Sequence, residues 1–324
     1  MIDGADTRDG ERPAKILLDC DTGIDDAVTI LYLASLVKTG GAEMVGVGTV
    51  HGNVDPRTGA LNTLRLLELT GIDGVPVAIG AARPMAQDVH YAHAWHGTDG
   101  LGETHLPAPV TGPEAVSAPE QIVRLARAHP GELTLIAVGP LTNLAIALLL
   151  EPALPRLIRQ VVIMGGAFDH PGNITTHAEA NIWHDPEAAD LVFAAGWPIV
   201  LVPLDATHPA MVGADWLDRL AAAESDTAGF AARILDFYVK AYTPTLRQRG
   251  CVIHDALAAM IAVDPSLAEY QERAVRIELR GELTRGATVW DARSLPVDDP
   301  RPLVKVVVDS DVAVFRERLL AALL

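Results

Sequence analysis

The sequence predicts an α/β fold, an open and mostly parallel β-sheet flanked by helices with a small antiparallel extension. Three observations predict it. Short apolar runs recur without polar alternation, as strands buried on both faces do. Longer amphipathic runs separate them, and this alternation is the pattern of βαβ units with helices on both faces of a parallel sheet. Near the C-terminus, residues 275–280 alternate apolar and charged side chains, so one face of that strand meets water.

In chain order, residues 1–14 are polar and read as a disordered tail, leaving 15–324 as a single domain. Buried strands are expected at 16–19, 44–49, 77–79, 133–138, 161–164 and 199–202. Helices are expected between them at 25–38, 57–69, 119–128, 141–150 and 186–195. After the alternating strand at 275–280, residues 303–308 form a final strand and 311–324 a terminal helix. Two stretches, 80–118 and 165–184, are too long for plain connectors, and such loops in a compact domain are functional or disordered. The second follows a strand directly, which puts it at the carboxyl edge of the sheet, where doubly wound folds bind ligands.

Composition narrows the function. Hydrophobic residues make up 49% of the 324 and charged residues 21%, which excludes intrinsic disorder. The 25 Lys and Arg face 42 Asp and Glu, a net charge of −17 that repels nucleic acid and anionic lipid. A metal ion, a cationic partner or a neutral small molecule fits better. Cys20 and Cys251 are too few for a disulfide framework, which suits a reducing compartment. With no apolar leader and no run of about 18 apolar residues, a soluble cytoplasmic protein is expected.

The chemistry concentrates after the first strand. Asp19, Asp21, Asp25 and Asp26 lie in the eight residues DCDTGIDD, between an apolar strand and a helix start. Asp19 and Asp21 point to one side of an extended chain, and Gly23 allows a sharp reversal. Asp25 and Asp26 taken alone fit an N-cap and a first-turn acid. That reading leaves Asp19 and Asp21 unexplained. Carboxylates ~4 Å apart repel by several kcal/mol at an effective dielectric of ~20, so some are protonated or a cation sits among them. All-oxygen ligands suit Ca²⁺ or Mg²⁺ rather than zinc. An EF-hand loop counted from Asp19 would put Gly23, Ile24 and Ile30 where an oxygen ligand, Gly and Glu are needed, so it fails. An aspartyl-phosphate phosphohydrolase, with Asp19 as nucleophile and Asp21 as acid, needs a lysine at the phosphate; the chain has only Lys15, Lys38, Lys240 and Lys305.

DCDTGIDDA closely resembles the N-terminal signature of the inosine-uridine-preferring nucleoside hydrolases, DxDPGxDDA. Further blocks follow in the family's order: GTVHGN (48–53), HGTDGLG (96–102), AVGPLTNLA (137–145), VVIMGG (161–166), GNITTHAEANIWHDPEAA (172–189), HDALA (254–258) and ELTRGATV (282–289). The resemblance implies a homodimeric or homotetrameric N-glycosidase that cleaves ribonucleosides with Ca²⁺. It implies that Asp21, Asp26, Asp255 and the Val138 carbonyl bind the ion, that Asp21 deprotonates the metal-bound water, and that Asp19 supports the cluster. Asp25, Asn53, Asn173, Glu179 and Asn181 would hold the ribose above Met164. His254 would assist departure of the base, with His96 near it. Thr22 stands where the signature has Pro, and Ala180 where an aromatic is common between Glu179 and Asn181.

Plainer readings stand beside these. Glu179, Asn173 and Asn181 also fit loop-stabilising roles, and His254–Asp255 fits an ordinary helix start. Tyr238 and Tyr242, four apart, fit one packed helix face, and both cysteines fit inert buried thiols. A non-catalytic nucleoside- or ribose-binding protein could use the same pocket, but would not need four clustered acids.

Overall fold

The computed structural model describes residues 13–293 and 299–324. Of the expected tail, residues 1–12 lie outside the described residues, and Ala14 already opens the first strand by pairing with Ala42. Six strands come first: β1 (Ala14–Cys20), β2 (Ala42–Thr49), β3 (Val77–Ile79), β4 (Leu133–Ala137), β5 (Gln160–Met164) and β6 (Ile199–Val202). The short β7 (Val212–Gly213) pairs antiparallel with β8 (Gly250–Cys251). Then come β9 (Ala268–Ala274), β10 (Arg276–Ile277), β11 (Thr288–Val289) and β12 (Leu303–Ser310). The main sheet has the order β3-β2-β1-β4-β5-β6-β12-β9 and is parallel except for β9, which runs antiparallel to β12.

The apolar strand runs have a simple cause. Ile16, Leu18 and Cys20 of β1 pack into one core layer, with the helices Ile24–Lys38 and His254–Val263. Leu17 faces the other layer, with the helices Thr142–Leu150 and Pro186–Ala194. Both faces are dry, so no polar alternation is possible. The chain first builds outward from β1 to β2 and β3, then returns to the other side of β1 with β4, β5 and β6. The carboxyl ends of β1 and β4 therefore flank the point where the winding reverses, which opens a crevice in such sheets.

The antiparallel extension differs from the expected one. Residues 276–277 do not join the main sheet; they pair with Thr288–Val289 in a separate two-stranded ribbon, while Val275 and Ile277 are buried in the second core layer. The antiparallel edge is Ala268–Ala274 instead, whose sequence AEYQERA is rich in charge, with only Ala268 and Tyr270 packed partly buried against the core. A charged edge strand of this kind resists pairing with other chains, and for the same reason gives no hydrophobic signal. The helices Asp226–Leu246, carrying Tyr238 and Tyr242 four apart, and His254–Val263, starting at His254, agree with those spacings, and the unexpected helix Ala214–Ala221 completes the packing. The two long loops contain short helices, His93–His96 and Ala180–His184. Among the described residues no helix is long and apolar enough to cross a membrane.

Asn143, fully buried, ties the strand ends together. Its Nδ2 donates to Asp19 Oδ2 (2.8 Å) and to the Thr49 carbonyl (3.0 Å), and its Oδ1 accepts from the Ala81 amide (2.9 Å). Asn143→Ala leaves three buried polar groups short of a partner. It should cost about 2–4 kcal/mol in urea denaturation; a loss under ~0.5 kcal/mol would mean that Asp19 and Ala81 find other partners.

Candidate active site

The acidic cluster sits in the crevice. β1 ends at Cys20, the chain turns through Asp21–Gly23, and a helix starts at Ile24. Thr22 holds φ = 28°, a left-handed conformation closed to proline. It is buried and its Oγ1 lies 3.0 Å from Thr63 Oγ1, so the residue in place of the signature's Pro ties the turn to the neighbouring helix. The turn folds back on Asp26: the Asp21 amide donates to Asp26 Oδ1 (3.2 Å) and the Gly23 amide to Oδ2 (2.8 Å). Asn53, just beyond β2, clamps Asp21 from the other side, its backbone N–H donating to Oδ2 (2.7 Å) and its Nδ2 to Oδ1 (3.0 Å). The Asn53 amide group also reaches Asp26 Oδ2 (3.0 Å). Gly52 must be glycine here: its φ is 156°, and a Cβ would lie 2.0 Å from Asp21 Oδ2.

Asp25, Asp26 and Asp255 each present an oxygen within 4.8 Å of the other two. At that separation a charged pair repels by about 3–4 kcal/mol at an effective dielectric of ~20. Burial is the largest cause that pushes their carboxyls up, Asp25 to about 8 and Asp26 to about 6, with Asp255 well above the usual range. Asp21 is raised first by burial and then by Asp26, and Asp19 by burial to about 7 although Asn143 opposes it. Asp25 Oδ1 is buried with no hydrogen-bond partner. His96 Nδ1 lies 4.0 Å from that oxygen but accepts the Ile24 amide (3.0 Å), so it carries no proton and forms no ion pair. Burial lowers the His96 ring to about 3, so it is neutral, and its Nε2 carries the proton.

Above the cluster lies a cavity of about 440 Å³. One wall carries Asp25, Asn53, Asn173, Glu179, Asn181 and Met164. Glu179 caps the helix Ala180–His184 by accepting from Asn181 N (2.8 Å) and Ile182 N (3.1 Å), and also takes the Gly166 amide (3.0 Å). Burial still raises its carboxyl to about 7. Asn173 Oδ1 accepts the Ala180 amide (2.8 Å), and Asn181 Nδ2 donates to the carbonyls of Val138 (3.0 Å) and Met164 (3.1 Å). These side chains therefore stabilise the loop, as the plainer reading expects, and also line the cavity.

The far wall is aromatic. His254 is buried, its Nδ1 2.7 Å from Thr207 Oγ1 and its Nε2 2.9 Å from Tyr242 Oη, and burial lowers the ring to about 3. Tyr238 and Tyr242 pack edge to face at 4.9 Å and line the cavity, so they are not merely core.

Of the sequence-predicted residues, Asp25, Asn53, His96, Val138, Met164, Asn173, Glu179, Asn181, His254 and Asp255 all meet in this cavity. Asp21 and Asp26 are buried beside it, joined through Asn53, and Asp19 is buried against Asn143. Sequence reasoning missed Trp95, Thr207, His170 and His208, which lie in loops or short turns without a pattern. None of the four lysines lines the cavity, and Lys15 and Lys240 are engaged with Glu132 and Asp236. The phosphohydrolase reading loses its phosphate-neutralising group. Cys20 and Cys251 are buried free thiols.

Residues 16–317 match the family described as inosine-uridine preferring nucleoside hydrolase. The chain belongs to this family. It is 37% identical to a probable uridine nucleosidase 2 of Arabidopsis thaliana, covering 93% of this chain and 95% of that one. It is 37% identical to an inosine-uridine preferring nucleoside hydrolase of Crithidia fasciculata, covering 90% of each. A solved plant nucleoside hydrolase superposes with a TM-score of 0.91 at 33% identity, covering 96% of this chain and 99% of that one. As a nucleoside hydrolase it is an N-glycosidase.

One buried histidine of this nucleoside hydrolase lies just behind the site. His51 Nε2 is 3.0 Å from Thr142 Oγ1, whose hydroxyl donates to Asp185 Oδ2 (2.6 Å), so Nε2 carries the proton and Nδ1 is bare and unpartnered. Burial, then His184, lowers its pKa to about 3, below the unfolded value of 6.5. Such a ring takes up its proton only on unfolding, so its stability is full above pH ~6.5 and is lost as the pH falls toward ~3. His51→Gln should therefore flatten the loss of stability between pH ~6.5 and 4, by up to about 2 kcal/mol near pH 5. Calorimetry across that range checks it; an unchanged slope would show that His51 is protonated in the folded protein.

Proposed function

We propose that this nucleoside hydrolase cleaves ribonucleosides to free base and ribose with a Ca²⁺ ion held by Asp21, Asp26, Asp255 and the Val138 carbonyl. The observation that carries the reading is the unpartnered Asp25 Oδ1 beside a buried, uncompensated carboxylate group at the floor of the cavity. Among the described residues no cationic side chain answers those charges, and the donor set is all oxygen, which suits a hard cation. When bound, the ion neutralises the cluster and acidifies a water for attack.

The chain's own residues do the rest. Asp21, its orientation fixed by Asn53, accepts a proton from the attacking water at a carboxylate oxygen. Asp25, Asn53, Asn173, Glu179 and Asn181 hold the ribose over Met164, and the carboxylates favour the oxocarbenium charge that grows on the ring. His254 and Tyr242 share a hydrogen bond at the opposite wall. With Thr207 Oγ1–H donating to Nδ1, His254 Nε2–H donates to Tyr242 Oη and frees the phenol proton for the departing base. Burial raises the Tyr242 hydroxyl, so it stays protonated until the base draws on it. The relatives' names make uridine and inosine the first substrates to test.

The wild type should release ribose and free base from both. His254→Ala should lose roughly 10²–10⁴-fold on uridine, the range for a positioned acid, yet keep most activity on p-nitrophenyl β-riboside, whose leaving group departs as an anion. Equal losses on the two substrates would remove His254 from leaving-group chemistry. No sugar release from any ribonucleoside would sink the hydrolase reading and leave the binding-protein alternative.

A further inference from the structure

Among the histidines of the cavity that this mechanism does not use, two face each other. His170 and His208 line it with ring centroids 4.3 Å apart and a tilt of 34°. His208 follows Thr207, whose Oγ1 touches His254, so the pair extends the leaving-group wall rather than the ribose wall.

The loop that carries His170 is built to hold it. Asp205 accepts the backbone amides of Phe168 (2.9 Å), Asp169 (2.7 Å) and His170 (2.9 Å). Thr288 Oγ1 accepts the Ala167 amide (2.9 Å) and donates to the Ala167 carbonyl (2.7 Å). Phe168 stacks on Trp290 at 3.9 Å. Three separate anchors thus fix residues 167–170. The ring's own hydrogen bond then settles its tautomer. His170 Nδ1 lies 2.7 Å from the Pro171 carbonyl, which can only accept, so Nδ1 carries the proton and Nε2 of the neutral ring is a bare acceptor.

We propose that His170 is a specificity-determining residue, its Nε2 accepting the ring N–H of a lactam base while His208 braces the imidazole from behind. The proposal rests on the nucleoside hydrolase reading and adds the part of the substrate recognised at this wall. Uracil and hypoxanthine both carry such an N–H on the edge away from the sugar; an N-methyl group there removes the donor. A site that hydrogen-bonds a substrate N–H rejects the analogue that lacks it more strongly than apolar contacts do.

The test compares kcat/KM for uridine, 3-methyluridine and p-nitrophenyl β-riboside in the wild type, His170→Phe and His170→Gln. The wild type should prefer uridine to 3-methyluridine. His170→Phe keeps a stacking ring but no acceptor, and should lose about 5–10-fold on uridine, the worth of one neutral hydrogen bond. It should change little on the other two, so the preference collapses. His170→Gln, whose amide oxygen accepts, should keep the preference. Activity on the nitrophenyl riboside shows that each variant is folded. An unchanged uridine preference in His170→Phe overturns the proposal, as does identical behaviour of the two variants. Absence of cleavage by the wild type would instead strike the hydrolase reading itself.

Discussion

The architecture depends on one electrostatic constraint, the burial of Asp25, Asp26 and Asp255 within 4.8 Å of one another with no positive side chain among the described residues to answer them. Carboxylates in such a place either take up protons or gather a cation. Burial first, and for Asp25 and Asp255 the neighbouring carboxylates after it, pushes their proton affinities up, which marks the cost of leaving the group uncompensated. The surrounding polar groups reduce that cost without removing it. Asp26 is held by two backbone amides and Asn53, Asp21 by Asn53, and Asp19 by Asn143, while Asp25 Oδ1 has nothing.

The fold supplies the place for this group. Because the winding reverses beside β1, three strand ends and their loops converge on one crevice. Asp21 follows β1, Asn53 follows β2 and Val138 follows β4, so the site joins segments more than a hundred residues apart in sequence. The helix His254–Val263 brings Asp255 to the cluster and presents His254 one residue earlier, so both side chains reach the cavity from one helical turn. Glycine at position 52 lets the backbone approach Asp21 more closely than any side chain would allow.

How much of this was legible follows from which residues carry a local pattern. The sheet was readable because strands dry on both faces are apolar throughout, and the edge strand Ala268–Ala274 was not because charged and polar residues interrupt it and none of it is fully buried. Four aspartates in eight residues signal charge repulsion wherever they fold, so the cluster could be found from DCDTGIDD alone. The ribose wall and His254 were placed through the family resemblance, since a lone Asn or His in a loop has no periodicity. Tyr238 and Tyr242 looked like packing because four-residue spacing on a helix is what packing produces; the hydrogen bond between Tyr242 and His254 depends on tertiary contact. His170, His208 and Asn143 were invisible for the same reason, their roles being set by partners distant in sequence.

The cavity sets buried carboxylates beside neutral rings, His96, His254 and the tyrosines, which burial keeps uncharged. On the proposed reading a cation balances the acids. Calorimetric titration of chelator-stripped protein with Ca²⁺, its metal content verified by elemental analysis, tests this most directly. The account predicts uptake of a single ion per chain with a rise in melting temperature, and loss of both in Asp26→Ala. A stripped protein that takes up no ion and melts as before would contradict it.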